Sequence, residues 1–490
     1  QTRMKLLKDI LFGVRILDVL GSTLVAINSV NSNSKNIKKD DLFIAIQGAS
    51  ADGHEFIETS INEGAIAIIC EKIPKIINKN VTYIHVSSSS QANAIIARNW
   101  FNKPSEKLTV VGITGTNGKT TTASLLFQLF KNSGVKSGLI STIKISIHNS
   151  NYPTQHTTPD PWEIQKYLNK MAEQGCKVVF MEVSSHGLIQ NRVSGIQFKG
   201  AIFTNISHDH IDYHKTLDNY VAAKKILFDN LNQSAFALYN LDDVFGETMI
   251  LECKAKKLSY GILGNADIKA RILESHISGT LISINQKECW LKLIGDFNVS
   301  NACAVYGAAI QLGMAPDIAL QGMSALEPVD GRFQKIEGPN NIMGIVDYAH
   351  TPDALEKTLN NLQKFRKPSQ RIITIIGCGG DRDKEKRPKM ASVSASLCDY
   401  LILTSDNPRT EKPGSILKEM ENGLEELEKK HCISIEDRRE AIKLACQNAN
   451  PGDIIVLAGK GHEKFQEING EKTPFDDALI LKNMLMDVQV

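Results

Sequence analysis

Gly115-Thr116-Asn117-Gly118-Lys119-Thr120 is the segment of this chain best suited to chemistry, and that chemistry is phosphate binding. Glycines let backbone amides approach phosphate oxygens closely, and a following helix adds four unpaired amides and the positive end of its dipole. Lys119 can reach the terminal phosphates of a nucleotide, and the Thr120 hydroxyl can bind magnesium. The spacing departs from the common phosphate loop. Ile113 stands where the first glycine is usual, and Gly112 precedes it. The alternative is an ordinary glycine-rich turn. The apolar run 108–114 before the motif and the helical stretch 120–131 after it favour ATP or GTP.

Two polar clusters also follow apolar runs. One is Met181-Glu182-Val183-Ser184-Ser185-His186, and the other runs from Thr204 through His208, His210 and Asp212 to His214. Ligands bind at the carboxyl ends of strands in open α/β sheets, and a carboxylate with an imidazole there can hold a divalent ion. Polar residues in such places also serve as plain loop residues and helix caps. The histidines would suit a transition metal too, but no thiolate stands near them. Magnesium is favoured because the phosphate loop needs it. In Tyr220-Val221-Ala222-Ala223-Lys224-Lys225, the pattern alone reads as a solvated helix face.

These clusters need a scaffold larger than one core. At roughly 100–200 residues per domain, 490 residues predict two to four domains. The first region, residues 1–105, mixes short apolar runs (42–46, 65–70, 81–86) with polar connections, and its serine run 87–90 reads as a loop. It closes on Asn102-Lys103-Pro104-Ser105, a linker pattern. The second, 106–327, alternates buried-strand runs (108–114, 178–183, 200–205, 235–240) with helical stretches, which predicts a mainly parallel sheet covered by helices. The third, 328–490, repeats the alternation, with strands at 345–348, 371–377, 400–405 and 453–458. Helices are expected over 352–365, 388–397 and 415–429. This region resembles a doubly wound fold.

Composition excludes several classes. Hydrophobic residues make up 42% and charged residues 22%, as in globular proteins. The 56 basic and 54 acidic residues nearly cancel, which argues against a nucleic-acid surface. The nine cysteines form no Cys-x-x-Cys pair, so a disulfide framework or zinc site is not expected, and free thiols fit the reducing cytosol. The run 16–27 is interrupted by Asp18 and is too short to span a bilayer, and no later segment reads as a membrane helix. It also lacks the cleavage region of a signal peptide.

The variant phosphate loop resembles that of the Mur ligases and their relatives, the folylpolyglutamate synthetases, and other Mur ligase motifs follow in order along almost the whole chain. The resemblance implies three α/β domains: a small N-terminal domain, a central phosphate-loop ATPase domain with a parallel sheet, and a Rossmann-like C-terminal domain. It implies nucleotide contacts from Gly115 through Thr121 and magnesium ligation by Thr120, Glu182, His210 and Lys224. Lys224 is implied to be carbamylated (N6-carboxylysine), its two oxygens serving a second magnesium. Gly295-Asp296-Phe297-Asn298-Val299-Ser300-Asn301 is similar to a nucleotide-contacting segment, with Asn301 as the contact. Asp330-Gly331-Arg332-Phe333 carries the arginine that reaches the ATP phosphates. In Asp347-Tyr348-Ala349-His350, Asp347 is implied to bind ribose and His350 to lie near the phosphates. Catalysis is assigned by the same resemblance to Lys119, Lys224, His210 and Arg332.

Within the family, two features imply the ligase that adds the third amino acid to a UDP-N-acetylmuramoyl-dipeptide. Thr157, Thr158, Ser184, Gln190 and Arg192 match contacts for the muramoyl-dipeptide, with His156 where the family usually has Asn. Asp406-Asn407-Pro408-Arg409 matches the pocket for the incoming amino acid. An arginine there offers a planar fork to a carboxylate, and diaminopimelate carries a far carboxylate that lysine lacks. Arg387 is implied as a second carboxylate contact, and Gly459 and Glu463 as contacts to the far end of that substrate. Ser34 is implied to touch uridine, although Asn33-Ser34-Lys35 replaces the usual Asp-Ser-Arg. The expected activity is ATP-dependent amide formation through an acyl phosphate, in peptidoglycan precursor synthesis, by a cytoplasmic monomer with small-molecule partners only. Domain closure is expected to shield the acyl phosphate from water. The rivals are the same ligase using lysine, a folylpolyglutamate synthetase, and a phosphate-loop ATPase acting as a switch.

Overall fold

The computed structural model describes residues 4–48, 51–207 and 211–487. Three sheets divide the chain in sequence order. The first has five strands, ordered Ile16–Leu20, Thr82–Val86, Ala65–Cys70, Asp41–Ile44 and Val30–Asn31. Only its first pair is antiparallel. The serine run differs from the loop that was expected. Ser88 caps the helix Ser89–Trp100, accepting from Gln91 N at 3.3 Å. Serine is as good a helix cap as a loop residue, and the run holds both.

The central sheet has eleven strands. Its middle is parallel, in the order Ser137–Ile140, Val178–Glu182, Thr109–Thr114, Phe198–Phe203 and Phe236–Asn240. The interior of strand Thr109–Thr114, Val110 to Ile113, carries no polar side chain because both its faces are covered. Val111, Ile113 and Phe180 pack with helices Lys119–Asn132 and Asp296–Gln311, while Val110, Val179 and Met181 pack with Pro161–Glu173 and Leu217–Asp229 on the other side. The sheet is less uniformly parallel than the alternation predicts: an antiparallel ribbon, Ile268–His276, Gly279–Ile284 and Lys287–Leu291, extends one edge. Such alternating, half-exposed strands carry a weaker signal than buried ones.

The third sheet has six strands, ordered Gln334–Glu337, Met343–Asp347, Ile454–Ala458, Ile372–Ile376, Tyr400–Thr404 and Cys432–Ile435. All but the first are parallel, the doubly wound arrangement that was expected. The helix expected over 415–429 is shorter, Pro413–Glu421. The chain turns at Asn422-Gly423, where a Cβ on Gly423 would fall 2.0 Å from Pro388 O, so the backbone rather than a side chain makes that contact.

Contacts tie the three units together. Trp162, from the central unit, donates through Nε1 to Asn93 Oδ1 of the first at 2.8 Å and meets Trp100 edge-on at 6.1 Å. Gly331, in the segment joining the second and third sheets, has φ +64, and a Cβ there would stand 2.0 Å from His462 N. Only glycine combines that dihedral with that approach.

Candidate functional site

The phosphate loop leaves the carboxyl end of Thr109–Thr114 between two neighbouring strand ends, those carrying Glu182 and Asn205. The loop is held from both sides. Thr116 N donates to Asn205 O at 2.7 Å and Asn117 N to Asn205 Oδ1 at 3.0 Å. Gly118 opens the helix with φ +85, its α-carbon so near Asn301 that a Cβ would sit 2.5 Å from Asn301 Oδ1. Asn301 also receives Thr122 Oγ1 at 3.4 Å. Lys119 Nζ folds back to Gly115 O (2.8 Å) and Thr116 O (2.9 Å), over the loop where phosphates would lie. Thr121 is buried in the first turn of this helix.

Beside the loop, Glu182 is fully buried. It accepts from Thr120 Oγ1 at 3.0 Å, Thr142 N at 2.8 Å and Thr142 Oγ1 at 3.1 Å. A carboxylate from a strand end and a hydroxyl from the first turn of the helix after the loop therefore converge, a hard-oxygen donor set that fits magnesium. Among the described residues, no three His, Cys, Asp or Glu side chains group closely enough to hold a metal alone. His210, the imidazole expected in this set, lies outside the described residues. Lys224 is buried on helix Leu217–Asp229, donating to Gly115 O at 2.9 Å, with its ammonium 4.5 Å from the Tyr220 ring. The Tyr220 hydroxyl in turn pairs with Thr116 Oγ1 at 3.1 Å.

The third unit reaches into this site. Arg332 Nη2 donates to Thr120 Oγ1 at 3.0 Å, and its guanidinium lies 4.5 Å from the Tyr348 ring. Asn117 Nδ2 donates to Asp353 Oδ2 at 3.3 Å. Asp347 accepts from Phe333 N (3.2 Å), Tyr348 N (2.9 Å) and Thr358 Oγ1 (2.6 Å). Burial raises the Asp347 carboxyl pKa, opposed by the Thr358 hydrogen bond and the Arg332 charge. His350 Nδ1 pairs with Tyr348 O at 2.9 Å.

A second patch adjoins Glu182. Thr142 Oγ1 pairs with Thr157 Oγ1 at 3.0 Å, and Thr158 Oγ1 donates to Glu182 O at 3.0 Å while accepting from Ser184 N at 2.9 Å. Ser184 caps the short helix Ser185–Ile189. Arg192 donates to Thr158 O at 2.6 Å and Gln190 Oε1 at 2.6 Å, and burial lowers its pKa. Ser34 is separate from this patch, half-buried at the start of the turn Ser34–Asn36 in the first unit.

The third patch lies at the strand tips of the last sheet. Asp406-Asn407-Pro408-Arg409 follows Tyr400–Thr404, and Gly459 through Glu463 follow Ile454–Ala458. Asn407 Nδ2 donates to Glu463 Oε2 at 2.8 Å. Arg409 has φ +51, donates to Gly380 O at 2.8 Å and stands 3.7 Å from Glu467. Arg387 is fully buried and gives both arms to protein carboxylates, Glu411 at 2.8 Å and Glu419 at 2.7 Å. Those two ion pairs were not visible in the sequence, because Glu411 and Glu419 lie in ordinary charged stretches. Lys460 and His462 were also left without a role by sequence reasoning, although both stand in the glycine-rich Gly459-Lys460-Gly461-His462-Glu463.

Comparison with known proteins addresses what such a three-patch site belongs to. Residues 26–101 match the Mur ligase family catalytic domain, 113–309 the Mur ligase middle domain, and 331–461 the Mur ligase glutamate ligase domain. The chain belongs to the Mur ligase family. This Mur ligase is 45% identical over 480 residues to the UDP-N-acetylmuramoyl-L-alanyl-D-glutamate–2,6-diaminopimelate ligase of Cytophaga hutchinsonii, covering 98% of this chain and 99% of the relative. It is 46% identical over 478 residues to the ligase of the same name from Bacteroides fragilis, covering 98% and 99%. A solved structure of a ligase of that name superposes with a TM-score of 0.69 at 31% identity, covering 99% of both chains. Like its relatives, this Mur ligase is an ATP-dependent acid–amino-acid ligase.

Proposed function

We propose that this Mur ligase joins diaminopimelate to UDP-N-acetylmuramoyl-L-alanyl-D-glutamate, consuming ATP to ADP and phosphate. The hydrogen bond from Arg332 to Thr120 carries the geometric side of this reading, because it sets a cation of the third unit on the phosphate loop of the second. ATP would lie in that seam, with Gly115 through Thr121 around its phosphates and Asn301, Asp347 and His350 beside it. The terminal carboxylate of the dipeptide attacks the γ-phosphorus, ADP leaves, and an acyl phosphate forms. The neutral amine of diaminopimelate attacks the acyl carbon, phosphate departs, and the amine loses its proton. Lys119 and Arg332 offset the charge that gathers on the transferring group.

Thr120, Glu182, His210 and a carbamylated Lys224 would hold magnesium, which when bound neutralises phosphate charge. The burial of Lys224 beside Gly115 supports its role here, since a carbamate at that depth would face the loop. Thr157, Thr158, Ser184, Gln190 and Arg192 would receive the muramoyl-dipeptide, with Ser34 towards the uridine. Arg387, Asp406, Asn407, Pro408, Arg409, Gly459 and Glu463 would form the diaminopimelate pocket, in which Arg387, its arms held by Glu411 and Glu419, acts through those residues. We read residues 1–105, 106–327 and 328–490 as the three functional domains, and the enzyme as a monomer in the cytoplasm, a compartment that suits its nine free thiols.

Phosphate release from ATP, measured with the nucleotide dipeptide and either meso-diaminopimelate or L-lysine, tests the reading. Release dependent on the dipeptide and much faster with diaminopimelate supports it. Faster release with lysine reverses the specificity, and release without any amino acid would point to a plain ATPase.

A further inference from the structure

Lys460 lies between two glycines on the loop after strand Ile454–Ala458, and its side chain is fully buried. Its ammonium is 2.9 Å from Asn407 Oδ1, 3.4 Å from Asp406 Oδ1 and 3.4 Å from Glu463 Oε2. Strands Tyr400–Thr404 and Ile454–Ala458 are not neighbours, because Ile372–Ile376 runs between them. One lysine therefore ties together the tips of two separated strands. A buried cation is retained at such a place only if it is paired and hydrogen-bonded.

The contact also fixes an orientation. Asn407 Oδ1 accepts from two groups that can only donate, Lys460 Nζ and Glu467 N at 3.0 Å. The amide nitrogen must then face Glu463 Oε2, which it meets at 2.8 Å. Without Lys460 one of those two donors is lost, and Glu467 N alone holds the amide oxygen. Two carboxylates against one ammonium leave the cluster one negative charge, which an incoming substrate ammonium would balance.

We propose that Lys460 is a positioning residue for the amino-acid substrate, holding Asn407 and, through it, the Glu463 carboxylate in the orientation that accepts its far ammonium. This rests on the reading of the Asp406–Arg409 turn as the amino-acid pocket. It explains why a lysine is buried in a pocket that must bind another cation: it carries half of the acidic charge and leaves the remainder for the substrate. The Glu463 carboxyl is pushed up by burial and by Asp406, and Lys460 opposes that rise. The other groups that bear on it are the Tyr348 phenol and Arg438, whose guanidinium is itself paired with Asp477. Replacing Lys460 by a neutral residue moves the Glu463 pKa further up.

The test is steady-state kinetics across pH on the full chain, with wild type, Lys460→Met and Lys460→Arg, folding being checked by circular dichroism. In Lys460→Met the KM for diaminopimelate should rise at least about tenfold, as for loss of one partner of a buried charge pair. The acidic limb of kcat/KM for that substrate should move to higher pH, while the KM values for ATP and the nucleotide dipeptide stay within about twofold. Lys460→Arg should return the limb towards its wild-type position. An unmoved limb with a wild-type KM overturns the proposal, as do equal losses for all three substrates. If Lys460→Met does not fold, Lys460→Met/Glu463→Gln is measured in its place. A folded double variant with a raised amino-acid KM and no acidic limb supports the proposal, and failure to recover folding overturns it. Were wild type to use a different amino acid, the reading of the substrate would fall, and Lys460 would be judged by the same KM shift with that amino acid.

Discussion

Arg332 and Thr120, 212 positions apart in sequence, are joined by a hydrogen bond of 3.0 Å at the seam between the second and third units. The same hydroxyl donates to Glu182 at 3.0 Å, so one threonine connects a cation, a carboxylate and the phosphate loop. Tyr348 backs the guanidinium at 4.5 Å and fixes its plane.

That relationship predicts how Arg332 variants behave. Arg332→Ala should lower kcat by about 10²–10³, as for removal of one donor to a developing charge. Arg332→Lys should recover little of it, because a lysine cannot both stack on Tyr348 and present a fork to phosphate oxygens. Phosphate release at saturating concentrations of all three substrates measures both. A kcat within about threefold of wild type for Arg332→Ala would remove Arg332 from the phosphate site.

Arg409 should control which amino acid is taken. Its guanidinium is only lightly committed, to Gly380 O and at 3.7 Å to Glu467, which leaves donors for a substrate carboxylate. Arg409→Ala should raise the diaminopimelate KM by a factor equivalent to about 2–5 kcal/mol, and leave the poorer use of L-lysine unchanged. Parallel assays with the two amino acids check this. Equal loss with both would mean that the residue supports the turn and not the carboxylate.

Stability rests in part on a fully buried ion pair. Arg438 and Asp477 are both fully buried and joined at 2.6 Å, linking helices Arg438–Asn448 and Asp477–Asp487. Arg438→Met should destabilise the fold by about 3–5 kcal/mol, since it leaves an unpaired buried carboxylate. Replacing both partners with apolar residues should recover most of that loss. Denaturant unfolding of the single and double variants decides it, and a double variant no more stable than the single one would show that the pair holds more than itself.

Much of this site is legible where a local rule dictates it. The glycines and lysine of the phosphate loop, the apolar strand before it and Glu182 at the next strand end follow from chain punctuation and sheet chemistry, and the structure brings them together. The roles of Lys224, Asn301, Arg332 and Arg387 rest on family resemblance, because a lone polar side chain on a helix or turn has no local signature. The contacts of Lys460 and the double grip on Arg387 were not legible at all. Each depends on segments dozens of residues apart converging at strand tips, and no periodicity encodes which loop meets which. The shortened helix Pro413–Glu421 shows the same limit, since Gly423 is set by its contact with Pro388.

His462 gives the last prediction, a dependence of stability on pH. Burial, with the charge of Arg332 next, pushes its imidazole down to about 3. Among the described residues its Nδ1 has no hydrogen-bond partner, and its ring lies 4.8 Å from Tyr348. Between about pH 6.5 and 3 the unfolded chain therefore holds a proton at this position that the folded chain does not, so stability falls as pH falls through that window. The contribution is full above the unfolded pKa and declines below it. From pH 6.5 to 5 the loss should be about 1–2 kcal/mol, and His462→Gln should remove it, giving a flatter profile. Denaturant midpoints for both proteins between pH 5 and 8 provide the comparison. Parallel profiles would mean that the folded chain protonates His462 as readily as the unfolded chain does, so that its burial beside Arg332 carries no cost.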